Sequence, residues 1–234
     1  MNPISFSARK YFFALTVLAN VSLMFAQNSD LGLWTTIDIE SSMSPKWDIG
    51  LSGEYRWKNN ISVTDQIRGG VTVTRSLGNY FNLGAGYILI ADKKANRDIF
   101  ELRNRFLMQA RGQYKYARFT ADWRVRMQLT LLEKNDENIS VFDSENTNWV
   151  LRNRFRLRYN IKGSSFRPYA HFEMFHQLFS NLEYRYFQNR LSIGAVYRMN
   201  RSHDLAAGYM LENATEGTQK FRRNIIQVGY TFSF

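Results

Sequence analysis

Apolar and polar residues alternate with a period of two along most of the chain, most clearly between Phe119 and Leu131. Phe119, Ala121, Trp123, Val125, Met127, Leu129 and Leu131 share one set of positions, and Thr120, Asp122, Arg124, Arg126, Gln128 and Thr130 share the other. Successive Cβ atoms of a strand point to opposite faces, so one face is apolar and the other carries the arginines. A helix would scatter those arginines around its circumference. The next segment repeats the design, with Trp149, Leu151, Phe155, Leu157, Tyr159 and Ile161 against Arg152, Arg154, Arg156 and Arg158, and Asn153 as the exception. The alternation predicts eleven strands, near 31–41, 46–57, 64–75, 80–91, 98–112, 118–132, 148–161, 166–178, 184–199, 203–213 and 221–234.

Length decides the kind of sheet. Strands of soluble proteins average about 5–6 residues, whereas a tilted membrane-spanning strand needs about 9–11. The segments here run from 11 to 16 residues. Short connectors (Ser42 to Pro45, Ser76 to Asn79, Asn200 to Ser202) trade places with longer polar ones (Asp92 to Arg97, Glu133 to Thr147, Ala214 to Lys220). That asymmetry marks an outer-membrane barrel with tight periplasmic turns and longer external loops. Closure also leaves no backbone edge unpaired in lipid. The expected fold is therefore all-β, a closed antiparallel up-and-down transmembrane β-barrel. Trp34, Trp57, Tyr80, Phe81, Trp149, Tyr184, Tyr186 and Tyr230 fall near strand ends, where interfacial girdles sit.

Parity complicates the count. With both termini in the periplasm an up-and-down barrel needs an even number of strands, yet the connectors make the first and last segments run the same way. Either one strand escapes the pattern, giving twelve, or 31–41 does not span, giving ten. Twelve is the preferred expectation within a range of 10–12.

The first residues lie outside this pattern. Arg9 and Lys10 precede an apolar stretch from Tyr11 to Phe25, and Ala26 ends a cleavage site. This predicts a signal peptide over 1–26 and a mature barrel over 27–234. Composition excludes other classes. The 234 residues contain no cysteine, which removes disulfide scaffolds, thiolate metal sites and cysteine nucleophiles. Three prolines and 22% charged residues do not describe a disordered chain. A pI near 9.9 suits nucleic acid, but export and an internal placement of the arginines argue against that partner.

Several stretches together resemble a known family. Phe166 to Phe175 (FRPYAHFEMF) is the sharpest, with Arg152 to Arg156 (RNRFR), Asn189-Arg190-Leu191, Gly86-Tyr87, Gly208-Tyr209 and the terminal Phe234. The chain resembles the bacterial outer-membrane family catalogued as domain of unknown function 2490, over essentially all of the mature sequence. The resemblance implies a barrel in the outer membrane of a Gram-negative bacterium, with lipids around it and no assigned activity. The Ala26-Gln27 junction is similar to signal peptides of Bacteroidetes. Tyr230 to Phe234 is similar to the terminal aromatic signal read by barrel-assembly machinery, which makes Phe234 the expected assembly signal.

The polar register then faces the lumen. A basic wall is expected from Arg103, Arg105, Arg111, Arg124, Arg126, Arg152, Arg154, Arg156 and Arg158, with Arg56, Arg68, Arg118 and Arg190 elsewhere. Acidic partners are expected from Glu40, Asp48, Glu54, Glu101, Asp122, Glu173 and Glu212, mostly on strands away from that wall, with Asp38 and Asp204 on the same face. Arginines outnumber lysines 22 to 9, and a planar fork suits a confined lumen better than a flexible ammonium. Either arginines and acids pair across a filled structural barrel, or a basic wall faces an acidic one across a narrow porin-like passage for small anionic solutes. In the second case Arg124, Arg126, Arg154 and Arg156 would set anion preference.

The alternatives are a lipid-modifying enzyme or a surface-adhesion barrel. His171 and Glu173 share a face and Ser192 lies on another strand, but no serine has a recognisable nucleophile context. No catalytic residue, metal site or cofactor is therefore expected. The acidic stretch from Glu133 to Thr147 does not follow the spacing of a calcium loop.

Overall fold

The computed structural model describes residues 30–93, 99–132, 147–178, 185–216 and 219–234. The expected signal peptide, Tyr184 and nearly all of the acidic stretch after Leu132 lie outside these residues. Eleven strands form one closed barrel: β1 (Asp30–Ser44), β2 (Trp47–Lys58), β3 (Val63–Leu77), β4 (Phe81–Lys93), β5 (Phe100–Tyr116), β6 (Phe119–Leu132), β7 (Thr147–Tyr159), β8 (Phe166–Leu178), β9 (Arg185–Arg198), β10 (His203–Glu216) and β11 (Gln219–Ser233). They coincide closely with the eleven alternating segments.

Ten of the pairings join sequence neighbours antiparallel, and the eleventh joins β1 to β11 in parallel, from Asp30↔Arg223 to Glu40↔Ser233. The expected even, wholly antiparallel ring is thereby corrected. β1 is a full strand, and the described residues contribute no twelfth one to the ring. Alternating directions cannot close an odd ring, so one parallel pair is obligatory. The register of that pair preserves the faces. Thr35, Ile37 and Ile39 stand beside Val228, Tyr230 and Phe232, while Asp38 stands beside Thr231.

Short turns occur at both rims. Asn59 to Ser62 links β2 to β3 at one, and the expected longer connector from Ala214 to Lys220 is largely taken up by β10 and β11 there. More short turns lie at the rim that carries the chain end. Pro45-Lys46 joins β1 to β2, and Gly78 turns between β3 and β4 at φ 75°, a left-handed value that costs glycine little. Phe234 follows β11 there, and its N–H donates to the Glu40 carbonyl at 3.1 Å.

The outward face is apolar and uncovered. Phe81, Met108, Trp123, Phe155, Leu191 and Ile193 are all exposed, and the Trp123 and Phe155 rings stack 5.8 Å apart. The inward face mixes charge with a small apolar core, in which Trp34, Met210 and Ile225 cluster and Ile90, Leu107 and Phe175 are also buried. Tyr169 shows how tightly the interior is packed. A Cβ added at Gly194 or at Gly208 would fall 2.7 Å from its hydroxyl, so only glycine on β9 and β10 leaves room for that ring.

Candidate functional site

Three buried carboxylates organise the lumen, each serving arginines close to it in the wall. Glu173 on β8 binds Arg152 at 2.9 Å and Arg124 at 2.8 Å. Asp122 on β6 binds Arg111 and lies 3.5 Å from Arg154 and 3.8 Å from Arg156. Glu212 on β10 takes Arg190 at 2.7 Å and the Gln188 amide at 2.6 Å, with Arg223 at 3.8 Å. Glu54 does the same for Arg56 at 2.6 Å and Arg68 at 3.4 Å. Charge-assisted pairs of this kind offset the desolvation of a guanidinium inside a protein.

A cation–aromatic layer crosses the barrel through these pairs. The Arg56 guanidinium lies 3.4 Å over the Trp34 ring, and Arg190 approaches the same ring at 4.9 Å. Arg190 also lies 4.6 Å from the Phe175 ring, which Arg152 meets at 4.6 Å. β1 and β9 are separated in the wall by β11 and β10, so the contact between Trp34 and Arg190 spans the interior. Trp34, Arg56, Arg68 and Arg190 line two separate cavities. One, of about 390 Å³, opens among Asp65, Gln177 and Phe221 at the rim opposite the chain end. The other, of about 760 Å³, reaches the chain-end rim at Ser42, Ser233 and Phe234.

The larger chamber gathers many of the sequence-predicted residues. Arg105, Arg111, Arg124, Arg126, Arg152 and Arg154 line it, as do Glu40, Asp48, Glu54 and Glu173. Among the described residues Arg126 donates to the Gln109 amide oxygen alone, at 2.7 and 3.1 Å, and Arg105 to the Thr130 hydroxyl alone, at 2.8 Å. Among the described residues neither has a carboxylate in reach. Asp48 accepts from the Ser42 hydroxyl at 2.7 Å. Arg103 sits apart, bound to Asp92 at 2.7 Å and Glu101 at 3.2 Å. Arg156 serves Asp122, and Arg158 makes no ion pair among the described residues.

Other expectations are revised. Arg118 is exposed in the turn between β5 and β6 rather than inside. The acids do not form one wall opposite the arginines: Glu173, Glu54 and Glu212 are taken up by adjacent arginines, which leaves only Asp38, Glu40 and Asp48 as an acidic side. Trp34, read as a girdle residue, is inside and 7% exposed. Its parity with Asp38 and Glu40 was the available signal. Leu107 and Ile90 also point inward, where no alternation of polar residues announces them.

His171 and Ser192 are directly opposed on β8 and β9, but the His171 Nδ1 and the Ser192 Oγ have no hydrogen-bond partner. Ser192 is 0% exposed, and Glu173 is held by two arginines. A nucleophile needs both a bonded base and access to substrate. This trio provides neither. Among the described residues no cluster of three metal-ligating side chains occurs.

No curated protein matches the chain. Among solved structures it is similar to the β-domain of the Bordetella autotransporter BrkA, with a TM-score of 0.49 and 13% identity over 82% of this chain and 86% of that one. The family described as protein of unknown function (DUF2490) matches residues 31–222, and the chain belongs to that family.

Proposed function

We propose that the protein is an integral outer-membrane barrel of a Gram-negative bacterium, closed across its lumen, which retains small charged solutes in a periplasmic chamber rather than passing them. The membrane reading is supported by eleven long strands in a closed ring that is apolar on the outside. Lipids cover the outward face, and the assembly machinery reads the Phe234 end. The observation that carries closure is the layer of Trp34, Arg56 and Arg190, which lines both cavities and is backed by Phe175 against Arg190. A ring of this size leaves an interior that side chains can largely fill. No catalytic role is proposed, because Ser192 is wholly buried and bonded to no base.

Reconstitution in a planar bilayer under a salt gradient tests closure. Wild type should give no steady conductance, and W34A/R190A should open an anion-preferring one, because the remaining arginines then face a continuous passage. A steady wild-type conductance would overturn the closed reading. Recovery of the wild type as a soluble periplasmic monomer would overturn the membrane reading.

A further inference from the structure

The larger chamber has two charged sides that cannot neutralise each other. In the ring, β6 stands five strands from β1 by one route and six by the other, so the two strands face across the lumen. On β5 and β6, Arg105 and Arg126 reach only a threonine hydroxyl and a glutamine oxygen among the described residues. Between them, Gln128 is 4% exposed and lines the chamber. Its Oε1 accepts from Arg152 at 3.4 Å, while its Nε2, a donor, has no partner. On β1, Asp38 and Glu40 line the same chamber and make no ion pair among the described residues.

We propose that this chamber binds a small zwitterion, its oxyanion held by Arg105, Arg126 and the vacant Gln128 donor, and its ammonium held by Asp38 and Glu40. The proposal rests on the reading of the lumen as a closed chamber. An enclosed guanidinium without a counter-charge is costly, and so is a carboxylate crowded by like charge. A free anion would neutralise the β5–β6 side and leave the β1 side bare. A free cation would do the reverse. One molecule with both charges at opposite ends satisfies both sides, and its own dipole orients it across the lumen. The planar forks of Arg105 and Arg126 accept a carboxylate or a phosphate alike. A volume of about 760 Å³ is of the size that small-molecule sites occupy.

Calorimetry on the folded barrel in detergent tests this with four probes: phosphoethanolamine, γ-aminobutyrate, inorganic phosphate and ethanolamine. At least one of the two zwitterions should bind about tenfold or more tighter than phosphate or ethanolamine, the gain of one extra charged contact. The tighter of the two zwitterions identifies the oxyanion. D38N/E40Q should bring zwitterion affinity down to that of phosphate while leaving phosphate itself unchanged. R105Q/R126Q should weaken both. Equal binding of phosphate and both zwitterions by the wild type, or no saturable binding of any probe, would overturn the proposal without recourse to a variant. Bilayer conductance measured on the same preparation separates the two failures. Lost binding with a silent barrel leaves closure standing, whereas a conducting barrel removes the chamber itself.

Discussion

Glu173 concentrates the electrostatics of the lumen in one side chain. It is 3% exposed and receives Arg152 through both oxygens, at 3.2 and 2.9 Å, while Arg124 shares Oε1 at 2.8 Å. Removing one partner of a buried charge pair is costlier than the pair is stabilising, because the remaining charge loses its compensation. Glu173→Gln keeps the shape and an acceptor but strands two guanidinium groups. It should destabilise the folded barrel by about 3 kcal/mol, read as an earlier denaturation midpoint in detergent. A shift indistinguishable from zero would mean that solvent, not Glu173, neutralises these arginines. At this scale the sequence was only half legible. Parity placed Glu173, Arg124 and Arg152 on the inner face, but their union depends on the register of β6, β7 and β8, which no local pattern contains. The same limit explains why Arg105 and Arg126 looked like their neighbours until their partners were known.

Strands were the most legible level. One face of each had to be apolar, so period-two alternation located β1 through β11 to within a few residues, including the 13 residues of β8. Ring closure was not legible, since the β1–β11 pairing joins the two ends of the chain. An even ring needs both chain ends at one rim, and β1, parallel to β11, puts them at opposite rims. Phe234 belongs to this seam. It is 69% exposed, its ring lies 5.4 Å from Phe232, and its N–H extends the ladder to Glu40. Deleting Phe234 removes that last hydrogen bond and the exposed terminal ring. The amount of barrel in outer membranes should fall severalfold, while the periplasmic pool shows that export continues. Undiminished outer-membrane levels would count against an assembly role.

The whole molecule inverts the usual economy of a pore. Its outside is predominantly apolar, and its inside carries the variety: ion pairs, a cation–aromatic layer and a chamber with two signs of charge. The odd ring has a further consequence, which concerns compartments. Because β1 and β11 run the same way, Asp30 and Phe234 sit at opposite rims. If the rim that carries Phe234 faces the periplasm, the amino end of the barrel belongs to the cell exterior. In that orientation the amino end would have to cross before the seam between β1 and β11 shuts. An epitope placed just ahead of Asp30 should be stained on intact cells, and one appended to Phe234 only after permeabilisation. Staining of both tags on the same side would mean that the seam closes in another register in the cell.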